Sequence, residues 1–132
     1  MVSALSTRDL AKAFGRNVAV AGLNLEVPRA SCFGLIGPNG SGKTTTMRMC
    51  AGLLRPDRGG VLVDGIDVWA DPVEARRRVG VVPDLLLLFA RLTGIEQLVH
   101  IGLLRNLGRI ETETRPRGLL EVLGLTEAAD EA

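Results

Sequence analysis

The segment from Gly37 to Thr44 constrains this chain more than any other part of its sequence. It reads Gly-Pro-Asn-Gly-Ser-Gly-Lys-Thr and matches the pattern G-x-x-x-x-G-K-[ST]. Glycines in such a loop adopt positive φ and let backbone N–H groups approach phosphate oxygens, while the helix that follows adds the positive end of its dipole. The segment therefore predicts a loop between a strand and a helix that holds a triphosphate.

Both flanks of this loop have the pattern that it requires. Residues 30–36 form a short apolar run, which predicts a buried strand that leads into the loop. Residues 43–54 place apolar side chains at helical spacing and are followed by Pro56, which predicts one helix.

The residues of the loop have distinct expected roles. Lys43 is expected to reach the β- and γ-phosphates as a compact charge, and it is the catalytic candidate of the loop. Thr44 is expected to place its hydroxyl on Mg²⁺, which prefers hard oxygen ligands, and Thr45 is expected to add a contact on the α-phosphate side. The predicted nucleotide contacts within this segment are Gly37, Pro38, Asn39, Gly40, Ser41, Gly42, Lys43, Thr44 and Thr45.

The remaining sequence predicts further strands and helices. The predicted elements are a half-buried strand over 18–27, a hairpin of 61–63 and 66–68 around an Asp-Gly turn, a helix that opens at Asp71-Pro72 and carries Glu74 to Arg78, a buried strand over 79–82, a helix from Thr93 onward, and a helix near 117–123 after Pro116. This order predicts an α/β fold.

Composition limits the functional class. The chain has 132 residues, 46% of them hydrophobic, which suits one domain or part of one, and its 16 basic residues nearly balance 15 acidic ones, which gives no reason to expect a nucleic-acid partner. Cys32 and Cys50 lack metal-ligand spacing and are expected to be reduced core thiols. We find no signal peptide and no apolar run near the roughly 18 residues needed to span a bilayer, so we expect a cytoplasmic location.

The sequence resembles the front part of the ATP-binding subunit of an ABC transporter over nearly its whole length. The resemblance rests on L-A-K-A-F-G, V-A-V-A-G-L-N-L-E-V, G-L-I-G-P-N-G-S-G-K-T-T, A-G-L-L-R-P-D-R-G, V-L-V-D-G-I-D-V and R-R-R-V-G-V-V-P-D. It implies a P-loop NTPase-like core with N-terminal antiparallel β strands, with a nucleotide-binding core over about 1–84 and the start of a helical subdomain over about 85–132. The ligands that it implies are ATP and Mg²⁺.

The resemblance also implies roles for two residues outside the loop. Phe14 takes the place of the aromatic that stacks on adenine, although Phe14 as a plain core ring is the alternative. Asp84 stands where the family usually carries a Gln that contacts Mg²⁺ and the attacking water, so Asp84 is a candidate catalytic and metal-proximal residue; the alternative is a loop Asp that caps the next turn. Residues 85–89 (LLLLF) are expected to pack internally, to contact a membrane partner, or both.

Three parts of the family ATPase are not found in the sequence: a signature loop of the L-S-G-G-Q type, an apolar strand ending in Asp-Glu, and a switch His. We reject residues 92–97, Asp64, residues 130–131 and His100 as substitutes. The chain is therefore expected to end before the signature loop and to bind ATP without efficient hydrolysis on its own.

The expected function is that of an ATP-binding subunit that powers solute transport, with exporter-type systems preferred because of the compact G-V-V-P-D region. The expected partners are a transmembrane permease subunit and a second ATP-binding subunit in a homodimer or pseudo-dimer, with contact to the membrane only through the permease. A noncatalytic truncated nucleotide-binding module and a soluble ABC-type ATPase without a transport role remain the alternatives.

Overall fold

The computed structural model describes residues 3–83 and 88–130. The chain divides into two compact units, Met1–Val81 and Val82–Ala132. Among the described residues, no helix combines the length and the apolar character that crossing a bilayer would require.

The first unit is built on an antiparallel sheet. Its strands are β1 (Leu5–Phe14), β2 (Asn17–Val27), β3 (Arg58–Val63) and β4 (Ile66–Asp67), in the order β2-β1-β3-β4. The predicted strand over 18–27 and the predicted hairpin are confirmed. The hairpin turns at Asp64 and Gly65, whose φ values of 50° and 82° suit the Asp-Gly turn that the sequence indicated.

Two helices complete the first unit, α1 (Lys43–Cys50) and α2 (Pro72–Arg77). Apolar side chains of the sheet, of both helices and of the residue just after β4 form the core, which contains Leu10, Val20, Met49, Cys50, Val61, Val63, Val68 and Ala75. The predicted cap of α2 is confirmed, since the Asp71 carboxylate accepts a hydrogen bond from the backbone N–H of Glu74 at 3.2 Å. The start of α2 therefore follows from local sequence.

The end of α1 differs from the prediction. The helix was expected to reach residue 54, but it ends at Cys50. The reason is Gly52, which adopts φ 68° and lies so close to Val68 that an added Cβ would come within 2.8 Å of Val68 Cγ1. A left-handed glycine just beyond the last helical turn stops the helix.

Two predicted buried strands are wrong for the described residues. Residues 30–36 and 79–82 lie outside every strand, and Ile36 is 95% exposed. Cys32, which was expected in the core, is exposed within the first of these segments, whereas Cys50 is buried as expected. A strand exists only where a neighbour supplies backbone hydrogen bonds, and the strand pairings of the described chain include neither segment.

The second unit contains α3 (Gly94–Leu104) and α4 (Arg109–Val122). The predicted start of α3 at Thr93 is confirmed. The last helix begins well before the predicted residue 117 and holds Pro116 within it. Thr112, Pro116 and Leu120 are buried at four-residue spacing, so packing of this one face offsets the hydrogen bond that proline removes.

Thr93 closes a capping box at the start of α3. Its hydroxyl accepts from the N–H of Glu96 at 3.3 Å, and the Glu96 carboxylate accepts from the N–H of Thr93 at 2.8 Å. We expect Thr93→Ala to lower the unfolding free energy of the protein by about 1 kcal/mol, because a helix N–H loses its acceptor. Denaturant unfolding measures this effect.

The matched control is Thr114→Ala, which removes an exposed hydroxyl that donates to the carbonyl of Ile110 within α4. That bond caps no helix end, so the control should change stability by less than about 0.5 kcal/mol. Equal effects of the two substitutions would contradict the capping role of Thr93.

Candidate functional site

The backbone of the loop from Gly37 to Thr44 is held in a conformation that only glycine adopts easily. Gly40 and Gly42 have φ values of 81° and 88°. Gly42 also presses against β2, because an added Cβ would come within 2.2 Å of the carbonyl oxygen of Ala19. The glycine pattern of the sequence is thus explained by left-handed backbone at both positions and by a close approach at the second.

Lys43 folds back over the loop. Its ammonium Nζ donates to the carbonyl oxygens of Gly37 and Pro38, each at 2.7 Å. The side chain therefore lies along the loop instead of extending into solvent. An ammonium group is a compact charge with three donors, so a phosphate group placed in the loop would meet it at short range.

The loop delivers its last residues into the first turn of α1. The bond from the N–H of Thr46 to the carbonyl of Gly42, at 2.8 Å, is the first α-helical bond of this helix, so the N–H groups of Lys43, Thr44 and Thr45 precede it. The first turn of α1 holds no acidic residue. This helix end therefore suits an anion, with an adjacent ammonium and no carboxylate in the turn to oppose it.

The residues of the loop also fit Mg²⁺ bound together with a triphosphate. Thr44 is exposed at the start of α1 and offers a hydroxyl oxygen, a hard ligand. The described parts of the chain contain no group of three or more His, Cys, Asp or Glu side chains arranged to hold a metal. Mg²⁺ often keeps several waters and shares phosphate oxygens, so the Thr44 hydroxyl would supply one of its ligands.

An open cavity of about 630 Å³ adjoins the loop. Its walls are β2 residues 19–24, the segment 35–38 that enters the loop, and the side chains of Ser41, Lys43 and Thr46. The segment 30–36, which lies outside every described strand, therefore contributes its last residues to one wall of this cavity. Lys43 lines the cavity and also contacts the loop carbonyls.

Phe14 lies at the end of β1, where the chain turns into β2. Its side chain is 52% exposed, so Phe14 is not a core ring. The Lys12 ammonium lies over the ring, 5.7 Å from its centroid. This exposure leaves the aromatic surface accessible to a planar ligand.

The other sequence candidates are placed as follows. Asp84 lies outside the described residues, as do residues 85–87, while Leu88 and Phe89 are exposed.

Asp64 pairs with Arg29 at 2.7 Å, and His100 stacks edge-on against Phe89 with 5.4 Å between ring centroids. Burial raises the pKa of the Cys50 thiol to about 11, so this thiol stays protonated at neutral pH.

Sequence reasoning missed two supports of the site. One is Ala19 on β2, whose carbonyl limits Gly42 to a residue without a side chain. The other is Asp57, whose carboxylate joins Lys12 at 2.6 Å close to Phe14. Neither residue carried a signal in the sequence; Lys12, the partner of Asp57, was notable only because it and Lys43 are the only lysines of the chain.

A glycine-rich loop that opens a helix beneath a lysine ammonium defines a phosphate-binding-loop protein. The family model described as ABC transporter matches residues 20–132. The chain therefore belongs to the ABC transporter family.

Similar proteins include named ATP-binding components of transport and resistance systems. The chain is 41% identical to the daunorubicin/doxorubicin resistance ATP-binding protein DrrA of Streptomyces peucetius over 96% of its own length and 38% of that protein. It is 41% identical to the Nod factor export ATP-binding protein I of Ralstonia nicotianae over 96% of its own length and 39% of that protein. The chain thus spans about two fifths of these relatives.

Solved structures agree with this assignment. A structure of the ATP binding subunit of an ABC transporter superposes with a TM-score of 0.84 at 28% identity, covering 97% of this chain and 53% of that one. The cbiO1 protein of Clostridium perfringens, part of the ABC transporter complex cbiONQ, gives a TM-score of 0.80 at 22% identity, covering 99% of this chain and 54% of that one, and supports the fold alone. The predicted α/β fold of the ABC ATPase type is confirmed.

Proposed function

We propose that this chain is the ATP-binding part of an ABC transporter ATPase that powers export of a solute across a membrane. The observation that carries the proposal is the position of Lys43, whose ammonium lies 2.7 Å from two loop carbonyls beside the N-terminus of α1. A triphosphate in this loop gains that charge, the N–H groups of the first helical turn and the hydroxyl of Thr44. Relatives whose names refer to export and drug resistance support the direction of transport.

The proposed roles follow the geometry of the first unit. Lys43 neutralises the β- and γ-phosphates, Thr44 holds Mg²⁺, and the exposed ring of Phe14 stacks on adenine. Bound Mg²⁺ would offset charge on the phosphates. Asp84 as a metal-proximal residue remains a proposal from the resemblance alone.

We further propose that residues 1–84 form the nucleotide-binding core and that residues 85–132 begin a helical subdomain. The division of the chain near Val81 and the helices α3 and α4 of the second unit support this assignment. The proposed partners are a membrane-embedded permease and a second ATP-binding subunit, and the proposed location is the cytoplasmic side of the membrane, where ATP is supplied.

Calorimetric titration of the full-length gene product with ATP tests the proposal. We expect saturable binding that weakens when EDTA removes Mg²⁺, because Mg²⁺ offsets charge on the phosphates. ATP turnover should rise when the membrane partner is present in the same vesicles. Absence of ATP binding would overturn the nucleotide role, and binding without any response to a membrane partner would overturn the transport role alone.

A further inference from the structure

The end of β1 that carries Phe14 pairs with β2 on one edge, but on the edge that faces β3 it is held by a side chain instead of a neighbouring strand. The pairing of β1 with β3 ends at Ala11, which lies opposite Arg58. Residues 12–14 therefore extend past the start of β3 and meet no β3 partner on that edge. An N–H group on such an edge has no strand acceptor and needs another hydrogen-bond partner.

Asp57, the residue just before β3, supplies that acceptor. Its carboxylate accepts from the N–H of Ala13 at 2.8 Å and from the Lys12 ammonium at 2.6 Å, and its own N–H donates to the carbonyl of Ala11 at 2.9 Å. One residue thus binds three consecutive residues of β1 directly before Phe14.

The same contact controls where the charge of Lys12 lies. The Lys12 side chain is only 16% exposed, and its ammonium lies over the Phe14 ring while it pairs with Asp57. The Lys12 hydrogen bond and the Ala13 N–H lower the pKa of the Asp57 carboxyl, so Asp57 is ionised at neutral pH. With a cation over one face of the ring, the opposite face is the surface that remains for a base.

We propose that Asp57 is a positioning residue that holds Phe14, through Lys12 and the backbone of Ala13, in the orientation in which its ring stacks on the nucleotide base. This inference rests on the proposed function, in which Phe14 contacts adenine. It assigns to Asp57 a part in recognition of the base and none in recognition of the phosphates, because its hydrogen bonds within the described residues join it to Ala11, Lys12 and Ala13 at the Phe14 end of β1.

Binding of two ligands to the full-length gene product distinguishes a role of Asp57 in recognition of the base from a role in recognition of the phosphates. We expect Asp57→Ala to weaken ATP binding about fivefold in calorimetric titration, because a mobile ring loses part of its stacking energy. Binding of magnesium tripolyphosphate, which has no base, should not change. The unchanged tripolyphosphate affinity also shows that the variant is folded.

A double substitution tests whether Asp57 acts through Phe14. Phe14→Ala should weaken ATP binding about tenfold, and adding Asp57→Ala to it should cause no further loss. Asp57→Asn keeps an oxygen for Ala13 but loses the charge that holds Lys12, so its effect should be intermediate. The matched control is Asp9→Asn, which breaks the ion pair of Asp9 with Arg58, 2.8 Å apart on the same strands, and should leave ATP affinity unchanged.

The outcomes distinguish the two proposals. If Asp57→Ala lowers ATP and tripolyphosphate affinity equally, or if its effect adds fully to that of Phe14→Ala, Asp57 has only a general structural role and this inference is wrong. If Phe14→Ala leaves ATP affinity unchanged, the assigned stacking role of Phe14 is itself wrong. If Phe14→Ala weakens ATP binding and Asp57→Ala does not, only the role of Asp57 is wrong.

Discussion

Lys43→Ala is expected to lower ATP affinity about 100-fold. The Lys43 ammonium lies 2.7 Å from two loop carbonyls, and in the proposed function it neutralises the β- and γ-phosphates. Loss of charge-assisted hydrogen bonds to phosphate costs about 3 kcal/mol, which corresponds to this factor. Calorimetric titration with ATP in the presence of Mg²⁺ measures the change.

Arg48→Ala is the matched control for Lys43→Ala. Arg48 is an exposed basic residue in the last turn of the same helix, so its removal changes the net charge of the protein by the same amount. We expect ATP affinity to change by less than about twofold, because an exposed charge remote from the phosphates is screened by salt. A similar loss in both variants would indicate a general electrostatic effect and would contradict the role of Lys43.

Gly42→Ala is expected to destabilise the protein by about 3 kcal/mol and to disrupt the phosphate loop. The residue has φ 88°, which costs an L-amino acid about 1 to 2 kcal/mol, and its Cβ would meet the Ala19 carbonyl oxygen at 2.2 Å. Since that oxygen belongs to the backbone of β2, relief of the contact requires the loop to move away from the strand. Denaturant unfolding gives the stability, and ATP titration shows the effect on the loop.

Gly40→Ala distinguishes the cost of a positive φ from the cost of the contact with the Ala19 carbonyl. Gly40 has φ 81°, but an added Cβ there would meet no atom within 4 Å among the described residues. Its substitution should therefore cost only the backbone strain, about 1 to 2 kcal/mol. If Gly42→Ala is no more destabilising than Gly40→Ala, the contact between the loop and β2 does not constrain Gly42.

Much of the local structure was predictable because its causes lie within a few residues. The Asp-Gly turn at 64–65, the Asp71 cap and the start of α3 at Thr93 each depend on side chains next to the backbone that they shape. Hydrophobic alternation likewise placed β2. The errors arose where a contact with a distant residue determines the extent of a helix. Gly52 ends α1 where it packs against Val68, and burial of one face keeps Pro116 inside α4.

The features of the candidate site also divide into those that the sequence predicted and those that depend on distant partners. The glycine pattern and Lys43 identified the phosphate loop from eight residues, since the chemistry of phosphate binding requires those residue types in that order. The support that Asp57 gives to Phe14 was not predictable, because it joins residues more than forty positions apart through one ion pair and one N–H. Such contacts exist only after β1 and β3 have paired.

The sequence by itself thus determined the phosphate loop, the family and most helix starts, all of which depend on short patterns of residue type. The tertiary structure alone decided why Gly42 cannot carry a side chain, how Asp57 holds the end of β1, and that residues 30–36 and 79–82 pair with no described strand. The physical reason is that a close approach and a strand pairing each require two segments that are distant in the sequence to meet. An apolar run can indicate that a segment will be buried, but the hydrogen bonds that make it a strand come from its neighbour.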